Sequence, residues 1–372
     1  MRINKTYALT LACALTLGTI LCSAQDASLK EGGTTYGRAQ VSAWIAPQEF
    51  AVARWDGTLT IFRPPQPGEF GPVLLEDSSV PSLQPIQMIT SVSPSMFVTS
   101  NDSHSLAVWA AQGQLFALGA TLAYDLQYGT ADSGAVVTSQ GTTWLVTGHE
   151  QGEVLFWRVD NGKLSLVKAI SVRSANPIPS PYQLWNVRGI VPWQDHFVVT
   201  GSEDGDLVLL SVPDGAIKQR IRYNASAKRG INALAISGDL LMLANCSVGS
   251  ADKNLWLYRV SNNAISPLDS INLDKTPGLP QVFDFSVGFA RKDKTDYFVA
   301  STEEGLLWLG KVSGDKLQTL TNAVVAPNGG AALSVDQASL SIVAAAFDVR
   351  LFSVVDGSAA KAGSASSSSP NH

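Results

Sequence analysis

Apolar and polar positions alternate with a period near two along most of the chain. Short acidic or glycine-containing turns cut the alternation at regular intervals. Phe50–Arg63 reads FAVARWDGTLTIFR, Met96–Trp109 MFVTSNDSHSLAVW and Trp144–Val159 WLVTGHEQGEVLFWRV. Phe197–Val212 reads FVVTGSEDGDLVLLSV, Leu241–Val260 LMLANCSVGSADKNLWLYRV, Phe298–Val312 FVASTEEGLLWLGKV and Ile342–Val354 IVAAAFDVRLFSV. Each reads as two half-buried strands joined by a tight turn. The turn centres fall near Gly57, Ser103, Gly152, Gly205, Lys253, Gly305 and Val349, so the repeat is close to 49 residues.

A second turn follows most of these hairpins: Asp160-Asn161-Gly162, Pro213-Asp214-Gly215, Ser261-Asn262-Asn263, Ser313-Gly314-Asp315 and Asp356-Gly357. After four of them the chain resumes at apolar Leu164, Ile217, Ile265 or Leu317, which predicts an outer strand. Asp56-Gly57, Asp204-Gly205 and Glu304-Gly305 place a residue tolerant of positive φ where a tight hairpin needs one. No unit carries a sustained helical period, and a repeat of this length fits a four-stranded propeller blade. The expected fold is therefore all-β, a seven-bladed β-propeller of four-stranded antiparallel blades spanning residues 25–361. One blade cannot bury both faces of its sheet, whereas seven packed in a ring can.

Phe156-Trp157-Arg158-Val159-Asp160-Asn161-Gly162-Lys163 resembles the end of the third strand in the WD40-type propeller family. Val199-Thr200-Gly201-Ser202-Glu203-Asp204-Gly205 is similar to that family's second strand and tight turn. The resemblance covers residues 40–357 at a degenerate level. No unit has the Trp-Asp pair, and Gly148-His149 falls just before the acidic turn rather than ahead of a first strand. It implies a partner-presenting loop face, and a ring closed by a clasp. The final unit has three clear strands and then fades into Ala and Ser. Ala27–Tyr36 is expected to supply its outer strand, with Ala359-Ala360-Lys361 as the alternative.

Arg2 and Lys5 precede an apolar stretch from Tyr7 to Leu21, which ends in Cys22-Ser23-Ala24. That layout is a secretory signal peptide over residues 1–24, and the expected location is periplasmic or secreted. A lipid anchor at Cys22 is the rival reading, although Leu21 departs from the small residue such signals carry. No other stretch is long and apolar enough to span a bilayer. Removing residues 1–24 takes Arg2 and Lys5 from 26 basic residues and leaves 24 against 31 acidic. That balance excludes the basic footprint of a general nucleic-acid binder. Cys246 then stands alone, as a small hydrophobe. The serine-rich end, 362–372, reads as a flexible tail.

The chemistry-bearing residues are sparse. His104, His149 and His196 lie outside any nucleophile motif, and His104 and His149 read as solvated turn residues. No phosphate loop, zinc spacing or calcium loop is present, so no cofactor and no enzymatic activity are expected. Two features stand out. Every first turn carries an acid: Asp56, Asp102, Glu150, Asp204, Asp252, Glu304 and Asp348. On one face of a propeller these would attract a basic protein partner, or they merely suit tight, solvated turns. The connection Arg173–Trp193 interleaves four prolines with Tyr182, Trp185 and Trp193. Its aromatic residues either anchor an interface or belong to the blade core. The sequence thus points to an exported protein-interaction scaffold. Channel-based ligand binding or enzymatic activity, and a role in envelope assembly, are the alternatives.

Overall fold

The computed structural model describes residues 27–36, 39–79, 84–113, 115–178, 185–245, 253–273, 284–326 and 330–355. The leader 1–24 with Cys22, the tail 362–372, Cys246, Asp252 and Tyr182 lie outside them. Among the described residues the only helical element is a single 3-10 turn, Leu126–Tyr128. No helix among them is long and apolar enough to cross a membrane.

Strand β1 (Ser28–Tyr36) stands apart from the regular series. Blade 1 is β2 (Ala39–Ala46), β3 (Glu49–Arg54), β4 (Thr58–Arg63) and β5 (Val73–Ser79). Blade 2 is β6 (Ile86–Ser93), β7 (Met96–Asn101), β8 (Ser105–Gln112) and β9 (Leu115–Ala123). Blade 3 is β10 (Ala131–Ser139), β11 (Thr142–His149), β12 (Glu153–Asp160) and β13 (Lys163–Ser171). Blade 4 is β14 (Val187–Trp193), β15 (Phe197–Ser202), β16 (Asp206–Ser211) and β17 (Ile217–Arg222). Blade 5 is β18 (Ile231–Ser237), β19 (Leu240–Asn245), β20 (Leu255–Ser261) and β21 (Ala264–Ile271). Blade 6 is β22 (Asp284–Lys292), β23 (Thr295–Thr302), β24 (Leu306–Ser313) and β25 (Lys316–Val324). Blade 7 is β26 (Ala332–Asp336), β27 (Ser341–Ala345) and β28 (Asp348–Val355), with β1 as its outermost strand. The protein is thus a seven-bladed β-propeller, and each expected hairpin forms the second and third strands of a blade.

The clasp is formed by the segment expected to form it. β1 runs antiparallel to β28, from Ser28 opposite Val355 to Tyr36 opposite Asp348. The ring also closes at its inner edge, where Trp44 N donates to Ser334 Oγ at 3.0 Å and Trp44 Nε1 to Ser334 O at 3.2 Å.

The core is divided among the blade interfaces. Seven clusters of buried side chains form, and each spans one pair of neighbouring blades, including the pair 7 and 1. Strand residues alternate between the two faces of a sheet, so both faces of every blade are apolar. Phe50, Phe97, Phe156 and Phe298 are fully buried, and each contributes about 2 kcal/mol of transfer free energy.

Candidate functional site

The turns joining second and third strands gather on one face. The face surrounds a cavity of 1210 Å³ at the mouth of the central channel. The innermost strands line it, and they share one irregularity. In six blades the register shifts at the first pair of that strand, leaving Gln40, Gln87, Asp132, Arg188, Asn232 and Phe285 as extra residues. A bulge re-aims its side chain and bends its strand. Here it turns the polar side chains of Gln40, Gln87, Asp132, Arg188 and Asn232 toward the cavity.

These residues link across blades. Gln40 Nε2 donates to Gln87 Oε1 at 2.5 Å, and Gln87 Nε2 to Asp102 Oδ1 at 2.9 Å. On blades 3 and 4, Arg188 Nε donates to Glu203 Oε1 at 2.8 Å, and its Nη1 lies 3.5 Å from Asp132 Oδ2. Asn186 Nδ2 also donates to Asp132 Oδ2. Burial pushes Asp132 up to about 6, against the pull of Arg188 and Asn186. Burial disfavours the Arg188 charge too, but Glu203 and Asp132 outweigh it and raise its pKa.

On the opposite side of the cavity stand two exposed aromatic residues. Trp55, 63% exposed, lies in the acidic turn of blade 1, and Phe347, 58% exposed, lies in the equivalent turn of blade 7. Small apolar residues, among them Ala326 just after β25 and Ala332, Ala345 and Ala346 of blade 7, line this side of the cavity.

The turn acids fare differently from one another. Glu150 and Asp348 line the cavity, together with Glu303. Glu150 Oε2 also accepts from Thr130 N at 3.0 Å, and Asp348 lies 4.0 Å from Arg350. Asp102 is exposed and holds Gln87, whereas Glu304 is half-buried. Asp56 is exposed and its Oδ1 accepts from Thr58 N at 3.0 Å; hydrogen bonds from the Thr58 side chain and then its backbone lower the Asp56 pKa. Asp204 is buried and accepts from Ser174 N at 2.7 Å and Asp206 N at 3.1 Å. At Asp56 and Asp204 the carboxylate thus holds backbone N–H groups of its own turn or of the segment beside it.

Two expectations need correction. Trp193 is not at this face: it ends β14 away from the cavity, is 3% exposed, and packs in the core between blades 4 and 5. Its Nε1 donates to Asp239 Oδ1 at 3.1 Å. Trp185 is half-buried with the Arg173 guanidinium 5.1 Å above its ring. His149 is not a solvated turn residue. It is the last residue of β11 and fully buried, with Nε2 2.9 Å from Thr147 Oγ1 and Nδ1 3.2 Å from Gly129 O. Burial lowers its pKa to about 4.

The site therefore belongs to a seven-bladed propeller with a wide, polar channel mouth flanked by aromatic side chains. No protein-family model matches the chain, and no curated protein matches it.

Proposed function

We propose that this protein is an exported, WD40-type binding propeller without catalytic activity, which engages a polypeptide partner at the channel mouth. The observation that carries this reading is the exposure of Trp55 and Phe347 on the rim of the cavity. Exposed large apolar side chains beside a concavity mark interfaces, and aromatic residues are enriched in the anchors of such contacts. Ser286 is the one hydroxyl residue among the described lining residues, its Oγ accepts from Leu333 N at 3.2 Å, and no histidine is among those lining residues. Arg2, Lys5, the apolar run and Cys22-Ser23-Ala24 support export.

A photo-crosslinking residue at Phe347 tests the face. In cells it should capture one dominant polypeptide, and Trp55→Ala should abolish the adduct. The same crosslinker at Asn262, in a turn on the opposite face, should capture nothing specific. Equal adducts from both faces would remove the assignment.

A further inference from the structure

The lining of the cavity is unevenly charged. Asp132, Glu150, Glu303 and Asp348 face it against the single base Arg188. That base is already engaged, because Glu203 holds its Nε and Asp132 approaches its Nη1. Two carboxylates thus flank one guanidinium, and one negative charge is left over before Glu150 is added.

Asn186 supplies an independent sign of a missing group. It is 5% exposed and lines the cavity beside Asp132. Its amide nitrogen is committed to Asp132, while its Oδ1 has no hydrogen-bond partner among the described residues. A buried acceptor left without a donor is unfavourable, and an incoming donor removes the penalty. Desolvation also opposes the charge on Asp132, and an approaching cation relieves it.

The missing group must therefore donate hydrogen bonds and carry positive charge. Among the described residues no three His, Cys, Asp or Glu side chains converge to hold a metal ion. A phosphate or nucleic acid would meet the wrong sign. We infer that Asp132, Glu150 and Asn186 receive an alkylammonium or guanidinium group, the end of a basic side chain on the polypeptide partner. This deepens the binding role proposed for the same face and rests on it. The exposed rings of Trp55 and Phe347 offer the rest of the partner an apolar surface across the cavity.

The test uses n-butylammonium chloride as probe, added to the isotope-labelled full chain at constant ionic strength, with n-butanol as the uncharged control. Saturable shifts of the Asn186 side-chain amide and the Arg188 Nε signal are expected, with a Kd of millimolar order. Butanol should leave both signals in place. Asp132→Asn should weaken the probe roughly tenfold. Glu150→Gln, which keeps an oxygen for Thr130, should weaken it less. An equal response to butanol, or undiminished binding by both variants, overturns the inference. N-acetyl-lysine methylamide binding at least as well as butylammonium supports a polypeptide source. Binding of spermidine with N-acetyl-lysine methylamide silent keeps the cation and overturns that source. Neither result depends on crosslinking from Phe347, so the two readings fail separately.

Discussion

Asp132 Oδ2 lies 3.5 Å from Arg188 Nη1, and the two residues are the bulges of successive innermost strands. Equivalent positions in adjacent blades are thus turned toward each other around the channel mouth. The arrangement buries a carboxylate beside a single shared base. Burial prevails over the base, which is why the Asp132 pKa sits at about 6 rather than 3.8.

That shift has a definite sign in stability. The folded state holds its proton over a range in which the unfolded chain has lost it, so stability falls as pH rises from about 4 to about 6. The full effect is about 3 kcal/mol at its upper limit. Asp132→Asn removes the titration. Urea unfolding of both proteins at pH 4, 5, 6 and 7 should show the variant gaining on the parent across that window. A difference that stays constant with pH would contradict the assignment.

His149 works in the opposite direction. Trp157 Nε1 donates to Thr147 Oγ1 at 2.9 Å, so the threonine hydroxyl is free to donate to His149 Nε2. Nδ1 faces a carbonyl, which only accepts, and therefore carries the proton of a neutral ring. With the folded pKa near 4 against 6.5 unfolded, stability present above pH 6.5 is lost as pH falls toward 4. The loss approaches about 3 kcal/mol. His149→Gln should be less stable at pH 7, and its deficit should shrink by pH 4.5 in the same urea series.

The blades were legible because their second and third strands alternate cleanly and their turns carry acids and glycines. Gly57, Gly205 and Gly305 all adopt positive φ in those turns. The clasp was legible from a missing fourth strand. The channel mouth was legible only in part, through the turn acids Glu150 and Asp348 that line it. Its other polar residues sit on or just before innermost strands, where a bulge breaks the period of two and crowding selects small residues. A Cβ on Gly134 would lie 2.5 Å from Thr90 Oγ1, and one on Gly189 2.8 Å from Leu234 Cγ. Asp132, Asn186 and Arg188 therefore belong to no sequence pattern. Trp55 and Phe347 were hidden differently, as turn residues beside the acids that drew attention. His149 was misplaced because its strand runs one residue further than the acidic turn suggested, which aims the ring inward.

Clasp removal tests the closure of the ring. Without residues 25–38, β28 becomes an edge strand and the cluster between blades 6 and 7 loses buried Ala27 and partly buried Leu29. Bare edges also invite pairing with other chains. The melting temperature should fall by at least about 5 °C, with increased aggregation on heating. An unchanged melting temperature would show that the outer strand contributes nothing to closure.

Two turn glycines separate backbone conformation from backbone crowding. Gly314 has φ of 60° and nothing within 4 Å of where a Cβ would stand. Gly314→Ala should therefore cost only the left-handed penalty, about 1 kcal/mol. Gly305 has φ of 81°, and a Cβ there would fall 1.4 Å from the carbonyl oxygen of Ala326. That carbonyl belongs to the segment that accompanies Gly305 closely, with Val325 N donating to Gly305 O at 2.8 Å and Ala326 lining the cavity. The turn cannot accept a methyl group without moving the wall of the channel mouth. Gly305→Ala should cost about 3 kcal/mol or more, and in the same urea titration the gap between the two variants should be plain. Equal losses would mean that the approach of Ala326 to Gly305 is not a constraint on the folded chain.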